Sequence, residues 1–305
     1  MNKLEKDLLL SIADLHKIPQ GSVSFRKDGE SVQLTSTAEI EIVKKLDKPG
    51  IDIIVKPNVK GKSVHLPVII TKSGVTDVVY NDFYIGENSE VTIIAGCGIH
   101  NAGEEASQHN GIHSFHLDKN CSVTYLEKHL GTGGGNGGKI LNPITNINMK
   151  ENSLFNMETL QIGGVTSSVR TTKAKLGKNA KLLIKEKILT TQNQVAKTNF
   201  DVNLVGENSS VDVVSRSVAK DNSYQNFYSC VKGKNKCFGH VACDGILTDN
   251  ARIDSTPKIV CENVDATLVH EAAIGKIAGE QLIKLMTLGL NEQEAEDLII
   301  KGFLK

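Results

Sequence analysis

The sequence predicts a mainly β protein wound into a parallel β-helix, a solenoid, with a small helical and strand-containing region before it and two helices after it. Two observations predict this. The first is a short motif that recurs seven times: an apolar residue, two small or charged residues, then Asn. The copies end at Asn88, Asn120, Asn152, Asn179, Asn208, Asn250 and Asn263, and five of these are followed at once by Ser or Ala. Asn tolerates the left-handed backbone region and its side chain can mimic a turn, so each copy reads as strand, tight corner, strand. A chain that turns the same corner seven times, at spacings of 13 to 42 residues, is winding up coils. The second is the composition: aromatics are 4% and Trp is absent, so the interior falls to Val, Ile, Leu and small residues.

Taken in order, residues 2–17 place Leu4, Leu8, Ile12 and Leu15 on one stripe of a helix that Pro19 and Gly21 close. Short alternating runs follow from Ser22 to Pro67, such as Val23-Ser-Phe25 and Ile51-Asp-Ile-Ile-Val55, and define a small leading region over 1–67. The β-helix core is expected over 68–270. From Ala272 the character changes, and Ile274, Ile277, Leu282, Leu285 and Met286 recur at near-helical spacing. Gly289 stops that segment. Asn291-Glu-Gln-Glu294 has the form of a capping box for a second helix carrying Leu298, Ile299 and Phe303. Two short helices over 271–305 cannot bury both their faces on the end of a solenoid. They are either a docking surface or a simple cap on the coil end.

Lys plus Arg and Asp plus Glu are both 35, for a net charge of zero, which leaves no electrostatic footprint for nucleic acid or an anionic membrane. No apolar run approaches the roughly 20 residues that span a bilayer. The start, Met1-Asn-Lys-Leu-Glu-Lys-Asp7, has neither the basic flank nor the apolar stretch of a signal peptide. These features read as cytoplasmic. Six cysteines without a C-x-x-C pair then read as thiols, neither disulfides nor a zinc knuckle.

Three motifs invite a chemical reading. Gly131-Thr-Gly-Gly-Gly-Asn-Gly-Gly-Lys139 nearly fits a phosphate-binding loop, but Ile140 stands where the magnesium-holding hydroxyl belongs and Pro143 forbids the helix that should follow. A mobile surface hairpin is the better reading. In the cluster His100, His109, His113 and His116, a strand puts His109 and His113 on one face and His116 on the other. Solvated histidines on the outer face are expected there. In Gly239-His-Val-Ala-Cys243-Asp244, the alternation sets Cys243 beside Val241, toward the core. A buried Cys is usually a small hydrophobe. With an imidazole and a carboxylate from the next coil, such as His270 and Glu271, it becomes a soft-metal site.

These residues carry a resemblance. Ser215-Arg-Ser-Val-Ala-Lys-Asp221, Gly239-His-Val-Ala-Cys-Asp244, Val269-His-Glu-Ala-Ala-Ile-Gly-Lys-Ile-Ala-Gly-Glu-Gln-Leu282 and Leu288-Gly-Leu-Asn-Glu-Gln-Glu-Ala-Glu-Asp-Leu-Ile-Ile-Lys-Gly-Phe303 resemble the SufB/SufD family of iron–sulfur cluster assembly proteins. The similarity runs from about residue 75 to the end and is most specific in the last ninety residues. It implies a right-handed β-helix, a dimer formed through the C-terminal end of that helix, and C-terminal helices that dock a SufC-like ABC-type ATPase. It also implies a scaffold and not an enzyme, since ATP is hydrolysed by the partner. By the same resemblance Cys243 falls on the cluster-assembly cysteine, Glu271 on the family's glutamate, and His270 on the histidine of that motif. A homodimer would present all three from each protomer to iron and to the growing cluster. Val269 departs from the pattern, where an acidic residue is usual. The cysteine that first receives sulfur stays unassigned among Cys121, Cys230, Cys237 and Cys261, with Cys230 and Cys237 the candidates.

Rival readings are a β-helix carbohydrate-active enzyme, a solenoid acyltransferase and a purely structural adaptor for the ATPase. The first needs a ladder of Asp and Arg, yet Arg26, Arg170, Arg216 and Arg252 are scattered. The second needs a six-residue repeat that the uneven Asn spacing excludes. The third would dispense with the Cys–Glu pair.

Overall fold

A computed structural model describes residues 1–305 except 16, 18, 20 and 162. After helix α1 (Lys3–Ala13) come β1 (Ser22–Lys27), β2 (Glu30–Thr35), β3 (Ile40–Lys44), β4 (Gly50–Val55) and β5 (Lys62–Ile70). The chain continues through β6 (Thr76–Ile85), β7 (Glu90–His100), β8 (Ser107–Leu117), β9 (Ser122–Thr132), β10 (Lys139–Leu141), β11 (Ile144–Met149) and β12 (Leu154–Gln161). Next are β13 (Ser167–Leu176), β14 (Lys181–Thr190), β15 (Val195–Leu204), β16 (Ser209–Ala219) and β17 (Tyr224–Gly233). Strands β18 (Cys237–Leu247), β19 (Arg252–Cys261) and β20 (Ala266–Gly275) precede helices α2 (Gly279–Met286) and α3 (Glu292–Phe303).

Successive strands alternate between two facing sheets. One runs β2-β1-β5-β7-β9-β12-β14-β16-β18-β20; the other runs β19-β17-β15-β13-β10-β8-β6-β4-β3, with β11 between β8 and β13. All pairings from β5 onward are parallel. The chain is thus a β-solenoid of about eight turns. Burial alternates along each strand, as in β9 and β13, so every second side chain enters the lumen. Phe83, Phe115, Tyr125, Phe155 and Phe200 fill it together with Val, Ile and Leu.

The corners fall into two stacks, which accounts for the uneven spacing in the sequence. Asn58, Asn88, Asn120, Asn152, Asn179 and Asn208 all take positive φ and lie above one another. From Asn88 onward each side-chain amide donates to the carboxamide oxygen of the Asn one coil earlier, over 3.3, 3.0, 3.1, 2.9 and 3.4 Å. The opposite corners are Gln192, Asp221 and Asp249, also at positive φ. Asn250 therefore belongs to this second stack, where its neighbour Asp249 makes the turn, and Asn263 has no positive φ. Counting both stacks as one produced the 42- and 13-residue gaps.

The two ends of the solenoid differ. At the N-terminal end antiparallel hairpins β1–β2 and β3–β4 close the two sheets, so the leading region continues the stack. Helix α1 has an Asn2–Glu5 capping box and ends at Asp14 in the left-handed region; the last turn expected from the sequence runs into residue 16, outside the described residues. The helix lies on the outer face of β7, where a Cβ at Gly96 would sit 2.4 Å from the Ile12 carbonyl oxygen. At the C-terminal end β19 and β20 are bare sheet edges. The helices do not cap them. Helix α3, with the expected Asn291–Glu294 box, packs Ile299, Ile300 and Phe303 against Leu189, Val218 and Ile246 on the outer face of one sheet. Strand β20 runs to Gly275, past the change of character seen at Ala272, and α2 keeps no residue fully buried.

Candidate functional site

Cys243 lies on the inner face of β18, fully buried, with Ser215 of β16 on one side and Ala272 of β20 on the other. Burial pushes its thiol up to about 11, so at neutral pH it is protonated. His270 of β20 stands opposite Val241 and so shares that inner face, one diagonal step from Cys243. Neither of its ring nitrogens has a hydrogen-bond partner among the described residues. Burial, with the nearby His240 adding to it, lowers its pKa. A neutral imidazole with free nitrogens is the form that binds metal.

Glu271 is next in the chain and therefore faces the other way. It stands opposite Ala242 on the outer face, with a side chain 70% exposed and its Oε2 3.8 Å from His240 Nε2. His240 in turn holds Asp212 at 2.7 Å through Nδ1. Within one chain, then, Cys243 and His270 share a face and Glu271 does not join them. No group of three His, Cys, Asp or Glu side chains lies within reach of a common metal ion among the described residues.

The histidine cluster departs from expectation. His109 and His113 do share a face, but it is the buried inner face; His116, stacked on Tyr84, is exposed as expected, and His100 is half-buried with Nδ1 3.0 Å from the Thr132 hydroxyl. The first two are buried because the lumen here is polar. Arg26 and His109 both bind Asp77, at 2.6 and 3.0 Å. Burial would raise Asp77, yet these partners hold it at about 2. His113 donates from Nδ1 at 2.9 Å to the Tyr125 hydroxyl, which donates to Glu127 at 3.0 Å; burial takes His113 down to about 4. Arg170 bridges Glu127 at 2.5 Å and Glu186 at 3.6 Å. A cavity of about 30 Å³ adjoins Cys97, His109, His113, Glu127 and His129, and Cys97 is buried as well.

Glu127, Thr159, Glu186, Ser215 and Cys243 occupy one register row on successive strands. Sequence reasoning missed this row. The signal was present in β9, where Tyr125, Glu127 and His129 alternate in phase with the apolar Val123, but polar residues in an inward phase are normally read as a strand edge.

The SUF system FeS cluster assembly SufBD core domain matches residues 69–303. Among similar proteins, an iron-sulfur cluster assembly SufBD family protein of Methanocaldococcus jannaschii is 29% identical over 83% of this chain and 79% of its own length. One from Pyrococcus horikoshii is 31% identical over 84% of the chain, but the match spans 57% of the relative. A second from the same organism is 27% identical over 96% of the chain and 84% of its own length. A β-solenoid with an uncapped end and a domain match across most of its length defines a class: the iron–sulfur assembly solenoids. The chain belongs to the SufBD family. Among the described residues, no helix is long and apolar enough to cross a membrane.

Proposed function

We propose that the chain is a scaffold subunit that builds a transient iron–sulfur cluster where the C-terminal ends of two copies meet, acting in the cytoplasm with an ABC-type ATPase. The observation that carries this reading is the bare end of the solenoid. Strands β19 and β20 leave a row of backbone donors and acceptors unpaired, which favours pairing with another strand. Just inside that edge lie Cys243 and His270, the latter with both nitrogens free. One chain supplies too few soft donors to hold iron. Two chains meeting edge to edge double the set and bring Glu271 of each to the rim. The cluster and its iron are cargo. A thiol with so high a pKa binds iron only by giving up its proton to the incoming metal, and a site with few thiolates releases its cluster more readily than a four-thiolate one.

In this reading residues 1–67 lead into the core, which β20 carries past the expected boundary at 270 to Gly275, and helices α2 and α3 form the docking unit. Ile283, Met286, Leu288 and Leu298 remain exposed, an apolar surface for the ATPase. Anaerobic reconstitution with iron and sulfide tests the site: Cys243→Ser, His270→Ala and Glu271→Ala are expected to keep the dimer and the docked ATPase but lose the visible charge-transfer absorbance. Normal cluster content in all three would leave the adaptor reading in its place. Removing residues after Leu288 is expected to release the ATPase while the dimer persists.

A further inference from the structure

The glycine-rich run of residues 131–138 is neither a phosphate-binding loop nor a free hairpin. It is a corner joining β9 in one sheet to β10 in the other, pressed onto the corner of the preceding coil. A Cβ at Gly135 would meet the Gly103 carbonyl oxygen at 2.3 Å, and one at Gly137 would meet that of Glu105 at 2.3 Å. On its other side the following corner is short. Gly131 donates to the Gly163 carbonyl at 3.2 Å, and a Cβ at Gly164 would lie 1.9 Å from the Gly131 oxygen. The tightness here leaves a gap before the next corner at 191–194, an open cleft of about 350 Å³.

Thr132, Lys139, Thr166 and the corner Thr191-Gln-Asn-Gln194 line this cleft along with glycines, and among the described residues no carboxylate does. Lys139 is only 9% exposed, yet among the described residues its ammonium has neither a hydrogen-bond partner nor a carboxylate within ion-pair distance. Gln194 is 8% exposed. Its Oε1 accepts from the Thr191 N–H at 3.1 Å, which orients the carboxamide and leaves Nε2 without a partner among the described residues. Two largely buried side chains, one of them a cation, therefore bring unpartnered donors to one open polar cleft that no carboxylate lines among the described residues.

We propose that this cleft binds a phosphate-class oxyanion, with Lys139 as the counter-charge and Gln194 and the Thr166 and Thr191 hydroxyls as hydrogen-bond donors, the Thr132 hydroxyl being held by His100 Nδ1 at 3.0 Å. Because β10 and not a helix follows Lys139, side chains do what a helix N-terminus does in a phosphate-binding loop. The site is independent of the iron chemistry proposed at the C-terminal edge. The anion is either free phosphate or the phosphate of a nucleotide.

The test uses the full chain, titrated with inorganic phosphate, pyrophosphate or ATP against chloride at matched ionic strength. Binding is read by phosphorus NMR line broadening and by thermal unfolding. Saturable binding with a rise in Tm beyond that of chloride is expected. Lys139→Met is expected to bind about tenfold or more weakly, a change of about 1.4 kcal/mol, with Lys139→Arg retaining most of the affinity. Tighter binding of ATP than of phosphate would support the nucleotide as source, and equal binding would support the free anion. Should Lys139→Met fail to fold, Gln194→Leu carries the same expectation with a smaller loss. A wild-type chain that responds no more to phosphate than to chloride, or a folded Lys139 or Gln194 variant that binds like the wild type, overturns the proposal.

Discussion

Replacing Arg170 by Met removes the one cation between two carboxylates in the middle of the lumen. Arg170, Glu127 and Glu186 are all buried. Glu186 would keep hydrogen bonds from Thr198 and Ser215, both at 3.0 Å, whereas Glu127 would keep Tyr125 at 3.0 Å and a His129 contact at 3.4 Å. The uncompensated charge falls mainly on Glu127. Breaking a buried pair from one side costs about 3–5 kcal/mol, enough to lower a urea midpoint by about 1 M or more at the slopes typical of folded domains. The pH dependence is more diagnostic than the size. In the wild type, burial would raise Glu127, but Arg170 and His129 hold it well below the ordinary 4.5. A depressed carboxyl contributes stability above its unfolded pKa and loses it as pH falls through the folded value. Without Arg170 burial prevails, and both Glu127 and the already raised Glu186 bind protons more tightly in the folded state than in the unfolded one. The variant is therefore most penalised at neutral pH and least in acid. Urea unfolding followed by circular dichroism between pH 7 and pH 5 gives the comparison, with Arg170→Met/Glu127→Gln expected to recover a large part of the loss at pH 7. A cost that stays flat across that range, or a double variant no better than the single one, would refute the electrostatic reasoning.

Two other outcomes follow from the same geometry. Asn152, mid-ladder at φ 58° with bonds to Asn120 and Asn179, should cost about 1 kcal/mol more as Ala than as Gly, because Gly retains the left-handed backbone; equal losses in thermal unfolding would assign the effect to the lost hydrogen bonds alone. Cys243, fully buried with its thiol at about 11, should resist iodoacetamide at pH 7 in the native protein and react fully in urea. Rapid native labelling of its peptide by mass spectrometry would show that the inner face is open.

Much of the molecule was legible from local pattern. The Asn corners at 88, 120, 152, 179 and 208 and the inward phase of Val241 and Cys243 are properties of a few neighbouring residues, and the structure bears them out. The box at Asn291–Glu294 is equally local. What escaped were facts about which coil lies beside which. The second stack of corners at Gln192, Asp221 and Asp249 carries no Asn signature. His109 and His113 looked like solvent-facing residues because their partners, Asp77 and Tyr125, lie on other strands.

The same division holds at the candidate site. Period-two alternation in a strand is a short-range consequence of the pleat, and it parts His270 and Glu271 to opposite faces, which corrects the expectation that both converge on Cys243 within one chain. The sequence alone determined that the chain would coil, because its corners are made within a few residues. Only the tertiary structure decided that Cys243 stands between Ser215 and Ala272, that a row of charges runs inside the solenoid, and that the last coil is left bare while α3 lies on the outer wall. Those are matters of register between strands about thirty residues apart, and register is set by the packing of the whole stack.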